Sequence, residues 1–249
     1  MTDDLPRKLK DDAVTEANFE IRFDPDPSSI PEVLYGRLAD TSEWRGFTQK
    51  RLPAADIPAA LRRADPNLRY QASIALTNPD GASTVRIGPQ MIAYARLAPY
   101  PGWEVLGSEI DRTIDVLFAA LPNVSVTRLG LRYVNALRSD VHGINGIGDL
   151  NLNIVIAKEQ VTKKLNLNYL SPVSDDSTCT LRIATSEFVQ GQVPDNTTVI
   201  ADLDVYTNEP YKTSNKDVVK QWKELAHAKE KYNFFRLLTP ETIQRLRVD

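Results

Sequence analysis

From Glu16 to Phe23 the chain alternates strictly between polar and apolar side chains. Ala17, Phe19, Ile21 and Phe23 fall on one side, and Glu16, Asn18, Glu20 and Arg22 on the other. Successive side chains of an extended strand point to opposite faces, so this pattern belongs to a strand with one buried and one wet face. Pro25 and Pro27 end it, because proline cannot donate to a strand ladder. Alternation returns at Tyr70, Ala72, Ile74 and Leu76 and resumes with Val85 and Ile87 after the turn signal Asn78-Pro79-Asp80-Gly81. Gly88-Pro89 leads to a third strand at residues 90–98. A long strand is expected at 124–137, and further strands near 161–170, 178–188 and 197–206, while 149–158 reads equally as helix or strand.

Half-buried strands need a cover, and two segments have the periodicity to supply it. Leu106, Ile110, Ile114, Leu117 and Leu121 recur at three- and four-residue steps in 104–121, which places them on one helical face. Residues 214–236 read as the longest helix, with Ser214 as its N-cap and Val218, Trp222, Leu225, Tyr232 and Phe235 as its buried stripe. Shorter helices are expected after Pro31 (apolar Val33, Leu34 and Leu38, running to about Trp44) and from Thr239-Pro240-Glu241, while 48–68, cut by Pro53, Pro58 and Pro66, is ambiguous and leaves room for one or two helical turns at Ala59–Ala64. Gly143, Gly146 and Gly148 read as a flexible link.

The fold class is therefore α+β: largely antiparallel, curved β-sheets packed against two long helices. Residues 1–13 form an arm, 14–123 an N-terminal α+β lobe and 124–249 a C-terminal one, both within one compact domain. The lobes open alike, with Phe19-Glu20-Ile21-Arg22-Phe23 in the first and Leu129-Gly130-Leu131-Arg132-Tyr133 in the second. Each continues through a variable segment, a three-stranded meander and a long helix, as a tandem duplication of a β-x-β-β-β-α unit would.

Composition narrows the function classes. Among 249 residues 25% are charged, with a net charge of −3, a balance that does not advertise nucleic acid or an anionic membrane as partner. A single cysteine, Cys179, excludes an internal disulfide. The polar start MTDDLPRKLKDD carries no apolar signal segment, and no apolar run is long enough to span a bilayer. A cytoplasmic protein with no membrane contact is expected.

Catalytic motifs are missing. Gly81-Ala82-Ser83-Thr84-Val85 lacks the closing glycine of a nucleophile elbow. Cys179 shares the apolar side of its strand with Leu181 and Ile183, as a small buried group does. Glu224 and His227 make one E-x-x-H on a helix, whereas a di-metal bundle needs a second copy. The glycine-rich run from His142 to Gly148 has no Lys-Ser/Thr ending of a phosphate loop. No catalytic residue, metal ligand or cofactor is assigned.

Three weaker constellations remain. Asp202 and Asp204 point the same way on one strand, and Glu20, Arg22, Arg132 and Arg182 (on the preceding strand) are expected to join them in a polar network. Tyr94, Arg132, Tyr133 and Asn135 are candidates to line a ligand pocket between the lobes, with Asn135 expected to tie the strand end to a loop. Lys216, Lys220 and Lys223 fall on one helical face, a spacing that can grip phosphates.

The chain also resembles a patchily distributed bacterial protein family of comparable length and unassigned function. The stretches that carry the likeness run from Leu9 to Ala17 into Phe19–Phe23, from Ile87-Gly88 to Tyr100-Pro101-Gly102-Trp103, and through Leu131-Arg132-Tyr133-Val134-Asn135. Leu203-Asp204-Val205 and Leu225-Ala226-His227 onward to Thr239-Pro240-Glu241 complete it. Family members often carry a Pro-Ile pair where this chain has Ala13-Val14. The resemblance implies no catalytic residues. Its patchy occurrence implies a mobile or defence-related setting.

The leading expectation is thus a non-catalytic component that binds a protein partner: antitoxin-like, immunity-like or a prokaryotic defence accessory protein. Sheet edges favour self-association into a homodimer or docking of a partner strand. A small-molecule-binding protein or hydrolase with a pocket between the lobes is the second reading. A nucleic-acid-binding accessory protein using the basic C-terminal helix is the third.

Overall fold

The computed structural model describes residues 5–6, 9–24, 36 and 41–248, leaving aside the side chains at 43, 59, 63 and 66. The short helix expected after Pro31, with Val33, Leu34 and Leu38, lies outside the described residues. Strands β1 (Val14–Asp24), β2 (Thr48–Arg51), β3 (Ile74–Thr77), β4 (Ser83–Gly88) and β5 (Met91–Leu97) come first. They are followed by β6 (Ser125–Arg138), the hairpin strands β7 (Val155–Ile156) and β8 (Glu159–Gln160), then β9 (Asn166–Ser174), β10 (Ser177–Thr185) and β11 (Thr197–Thr207). The helices are α1 (Ala59–Ala64), α2 (Pro66–Arg69), α3 (Trp103–Ala120), α4 (Lys216–Leu237) and α5 (Pro240–Leu246).

Nine strands form one antiparallel sheet in the order β2-β3-β4-β5-β1-β6-β11-β10-β9. At its centre β1 pairs with β6, so that Ala17 lies opposite Tyr133, Phe19 opposite Leu131 and Ile21 opposite Leu129. On either side of this seam the order is the same read outward: β1-β5-β4-β3 and β6-β11-β10-β9. A single sheet therefore crosses the boundary between residues 123 and 124.

One face of the sheet is covered and the other is wet. Phe19, Ile21, Leu131 and Val205 share a buried cluster with Leu106, Ile110, Ile114 and Leu117 of α3 and with Val219, Trp222 and Ala226 of α4. A second cluster joins Ile183, Val199 and Leu203 to Phe234, Phe235 and Leu246, and to Leu9 and Ala13 of the arm. Trp222 packs on Phe19 with ring centroids 6.3 Å apart and donates its indole N–H to Ser177 Oγ at 2.9 Å, fixing α4 over the seam. No helix among the described residues is long and apolar enough to cross a membrane.

Several local readings change. Tyr70 and Ala72 precede the strand they were expected to join. Asp65 accepts the Asn67 N–H, Pro66 opens α2, and this extra helical turn delays β3 until Ile74. The ambiguous segment 149–158 is neither a helix nor a full strand. It holds the end of a 3-10 turn and the first half of the β7–β8 hairpin, whose turn residues Ala157 and Lys158 both have positive φ. Asn215 rather than Ser214 caps α4, its side chain accepting the Asp217 N–H at 2.9 Å.

The buried stripe of α4 keeps the expected Trp222 and Phe235 but not Val218 or Leu225. Val218 and Leu225 are 40% and 45% exposed, while Val219, Trp222, Lys223, Ala226, Glu230 and Phe234 are buried. Two charged residues lie inside the stripe, so a search for apolar periodicity settles on the wrong phase. A direct check is truncation at the two adjacent valines. Val219→Ala is expected to cost about 2 kcal/mol in urea denaturation, and Val218→Ala to stay within about 0.5 kcal/mol of the parent.

Candidate functional site

The wet face carries the acidic and basic residues of the central strands. Glu20 accepts from Arg22 at 2.7 Å and from Arg128 at 3.1 Å, and Arg128 reaches Asp204 at 4.0 Å. Gly130 makes this possible: a Cβ there would sit 3.1 Å from Arg128 Nη1. Arg132 binds Asp202 through two parallel bonds of 2.7 and 2.6 Å, the strongest geometry for such a pair. Arg182 stands opposite Asp202 in the β10–β11 register, yet its guanidinium turns to Asn166 at 3.3 Å because Arg132 has taken the carboxylate. Burial pushes Asp204 up, with Arg128 and Arg132 opposing the shift. Arg22 and Arg128 also border a 440 Å³ depression, but both are already paired to Glu20 and lie over the rings of Tyr70 and Tyr206.

The lysine stripe of α4 is paired to α3, although only Lys223 is buried and Lys216 keeps 44% of its side chain exposed. Lys216 and Lys220 both bind Asp115, at 3.0 and 2.9 Å. Burial pushes the Asp115 carboxyl up, but these two ammonium groups outweigh it and hold it below the usual range. Lys223 is 2% exposed and meets Asp111 at 2.9 Å, Glu224 at 3.0 Å and the Gly107 carbonyl at 3.0 Å. Its ammonium also lies 5.3 Å from the centre of the Trp103 ring. The three lysines expected to face a phosphate backbone are thus committed to joining α3 and α4.

The pocket candidates separate. Arg132 and Tyr133 are neighbours on β6 and so point to opposite faces. Arg132 belongs to the wet face and cannot line a pocket with Tyr133. Tyr94 is also elsewhere, buried under α3 with its hydroxyl on Ser83 and Glu109; burial raises its pKa further. Asn135 donates to the Ala201 carbonyl at 3.1 Å, tying β6 to β11 rather than to a loop.

Tyr133 and Asn135 do share a small cavity of about 60 Å³ where the arm, β6, α3 and α4 meet. Tyr100, Trp103, His227, Glu230, Lys231 and Phe234 share its polar and aromatic lining, and Leu9 and Asp12 of the arm border it. The arm is held there by Leu9, buried and bridged to Arg247, and by the Lys10 N–H on the Leu246 carbonyl at 2.8 Å. The Tyr133 hydroxyl lies 3.4 Å from that of Tyr100 and 3.5 Å from His227 Nδ1. His227 stacks on Trp103 with centroids 3.8 Å apart and planes 7° from parallel, while the Trp103 N–H donates to Glu224 at 2.9 Å.

His227, Tyr133, Tyr100 and Glu230 of this cavity are each pushed toward the neutral form. Burial lowers His227 to about 4, aided by Lys231 and Lys223. Burial raises Tyr133 and Tyr100. Burial, reinforced by the charge of Asp12, raises Glu230 to about 8 against the opposing pull of Lys231. Sequence reasoning missed Glu230, Tyr100 and Trp103. The only available signal was that Glu230 follows His227 by one helical step and so shares its side.

The other singled-out residues serve packing. Cys179 is buried, accepts from Asn233 at 3.3 Å, and has its thiol pushed up by burial, the opposite of what a nucleophile needs. The glycine-rich run is a packed loop, not a flexible link. His142 and Ile144 are buried, and Thr198 holds the Ile144 carbonyl at 2.6 Å. Gly143 has φ +63°, and a Cβ there would lie 2.5 Å from Arg245, whose guanidinium donates to the His142 carbonyl. Among the described residues no three His, Cys, Asp or Glu side chains gather as a metal site.

No family model and no curated protein matches this sequence. Among solved structures, the fold is similar to the substrate-free duplicated taurocyamine kinase from Schistosoma mansoni, with a TM-score of 0.40 and 10% identity. The alignment covers 88% of this chain and 33% of that one. A likeness this loose carries no argument about activity.

The Glu230 carboxyl gives the site a pH signature. The folded state keeps the proton up to about pH 8, against an ordinary value of 4.5. The folded state therefore binds more protons than the unfolded chain between those limits, and stability falls as pH rises through that window. Glu230→Gln, which is neutral throughout, is expected to remove this decline. In urea denaturation its stability relative to the parent should grow by a few kcal/mol between pH 5 and pH 8.

Proposed function

We propose that this chain is a non-catalytic, protein-binding component that docks by strand pairing at β9, and that in the free protein β9 pairs with its counterpart in a second copy. The reading is carried by the contrast between the two edges of the sheet. Edge strands that must stay unpaired are kept short or charged. β2 has four residues, all exposed, including Lys50 and Arg51. β9 has nine residues and no charge, with Tyr169 56% and Leu170 61% exposed.

The backbone of β9 supports the same reading. The Leu165 carbonyl accepts the Thr185 N–H, so up to the register shift after Pro172 the odd-numbered residues of this strand face β10 and the even-numbered ones face outward. Asn166, Asn168 and Leu170 thus hold open N–H groups, and Pro172, which has none, falls in the outward set where an edge tolerates it. Lys163 and Lys164 precede the strand, and Asp175 and Asp176 follow it. Two copies paired antiparallel bring the lysines of one beside the aspartates of the other. An open strand of this kind is what an antitoxin-like, immunity-like or defence accessory component would offer a partner. The matching strand order on either side of the seam supports reading the halves as a tandem duplication of one β-x-β-β-β-α unit.

Light scattering during size-exclusion chromatography is expected to report twice the monomer mass for the parent protein. Leu170→Lys, which places a charge at the open edge without touching the β9–β10 ladder, is expected to give a monomer. A parent protein that stays monomeric at its highest soluble concentration would overturn the proposal.

A further inference from the structure

The cavity at the junction of arm and helices points to a ligand class, independently of whether β9 pairs. From the geometry we infer that it receives a small organic cation, an ammonium group no larger than methylammonium, with Glu230 as its counterion. Glu230 is only 5% exposed, and among the described residues its carboxyl shows no hydrogen bond; its electrostatic neighbours are Asp12, which opposes its charge, and Lys231, which favours it. Buried polar groups are paired in nearly all native structures, so an unpartnered carboxyl facing a cavity asks for an occupant. The volume of about 60 Å³ is roughly that of two waters, and methylammonium has two heavy atoms.

The remaining lining suits a cation better than an anion or a neutral apolar guest. Tyr100, Tyr133 and Phe234 give it aromatic walls, and ring quadrupoles attract an ammonium group. Tyr100 and Tyr133 meet edge to face with centroids 5.9 Å apart. Asp12 adds a second carboxyl at the arm side, while neutral His227 and the amide of Asn135 offer acceptors for ammonium N–H groups. Lys231 borders the same space and acts as the internal competitor for the Glu230 charge.

Titration of the whole chain with methylammonium chloride tests this, with sodium chloride at equal ionic strength as control, read by calorimetry and by thermal denaturation at pH 8. Saturable binding and a rise in Tm with methylammonium alone are expected. Glu230→Gln, which keeps shape and folds without the buried charge, should lose affinity about tenfold or more. Lys231→Met, which removes the competitor, should bind more tightly than the parent. Equal effects of sodium and methylammonium, equal affinity in Glu230→Gln, or no saturable binding to the Lys231→Met variant would each overturn the inference.

Discussion

The pairing of β1 with β6 is the constraint on which the rest of the structure depends. It is the one strand pair that joins the two halves of the sheet, and it aligns their apolar faces residue by residue, Ala17 with Tyr133, Phe19 with Leu131 and Ile21 with Leu129. A slip of one residue would turn every one of these side chains to solvent. Because the ladder places Leu131 and Val205 beside Phe19, α3 and α4 find one continuous apolar surface and pack against each other as well as against the sheet. The seam also sets the wet face, where Glu20, Arg128 and Asp204 come together only because β1, β6 and β11 are adjacent.

Alternation and helical periodicity carried the architecture because they are local. The buried face of β1 and the stripe of α3 follow from side-chain spacing alone, and the structure buries Ala17, Phe19, Ile21 and Phe23, and Leu106, Ile110, Ile114 and Leu117, as that spacing requires. α4 was harder. Its inward face includes Lys223 and Glu230, and no hydropathy argument puts charges in a core. What buries Lys223 is a set of partners on α3, Asp111 and the Gly107 carbonyl, more than a hundred residues earlier in the chain.

The sites show the same division. The polar network of Glu20, Arg22, Asp202 and Asp204 was accessible from strand parity, but its pairing was not. Arg182 is opposite Asp202, and only the position of Arg132 on the far side decides which guanidinium the carboxylate takes. The grouping of Arg132 with Tyr133 failed on a rule the sequence does contain, since adjacent strand residues cannot share a face. Tyr100, Trp103 and Glu230 were invisible for a different reason. They converge from a loop and two helices that the sheet topology alone brings together.

Lys223 and Glu230 lie two turns apart on the same side of α4, and the fold treats them in opposite ways. The lysine has two carboxylates, a carbonyl and an indole ring within reach, so its burial is compensated and helps to hold the helices together. The glutamate has a neighbouring carboxyl, two phenols and a neutral imidazole, and the pull of Lys231 does not outweigh its burial, so it keeps its proton instead. An apolar side chain at position 230 would fill the same space without the desolvation cost. A carboxyl retained there, where the arm, the sheet, α3 and α4 meet, is better explained by what enters the cavity than by what surrounds it.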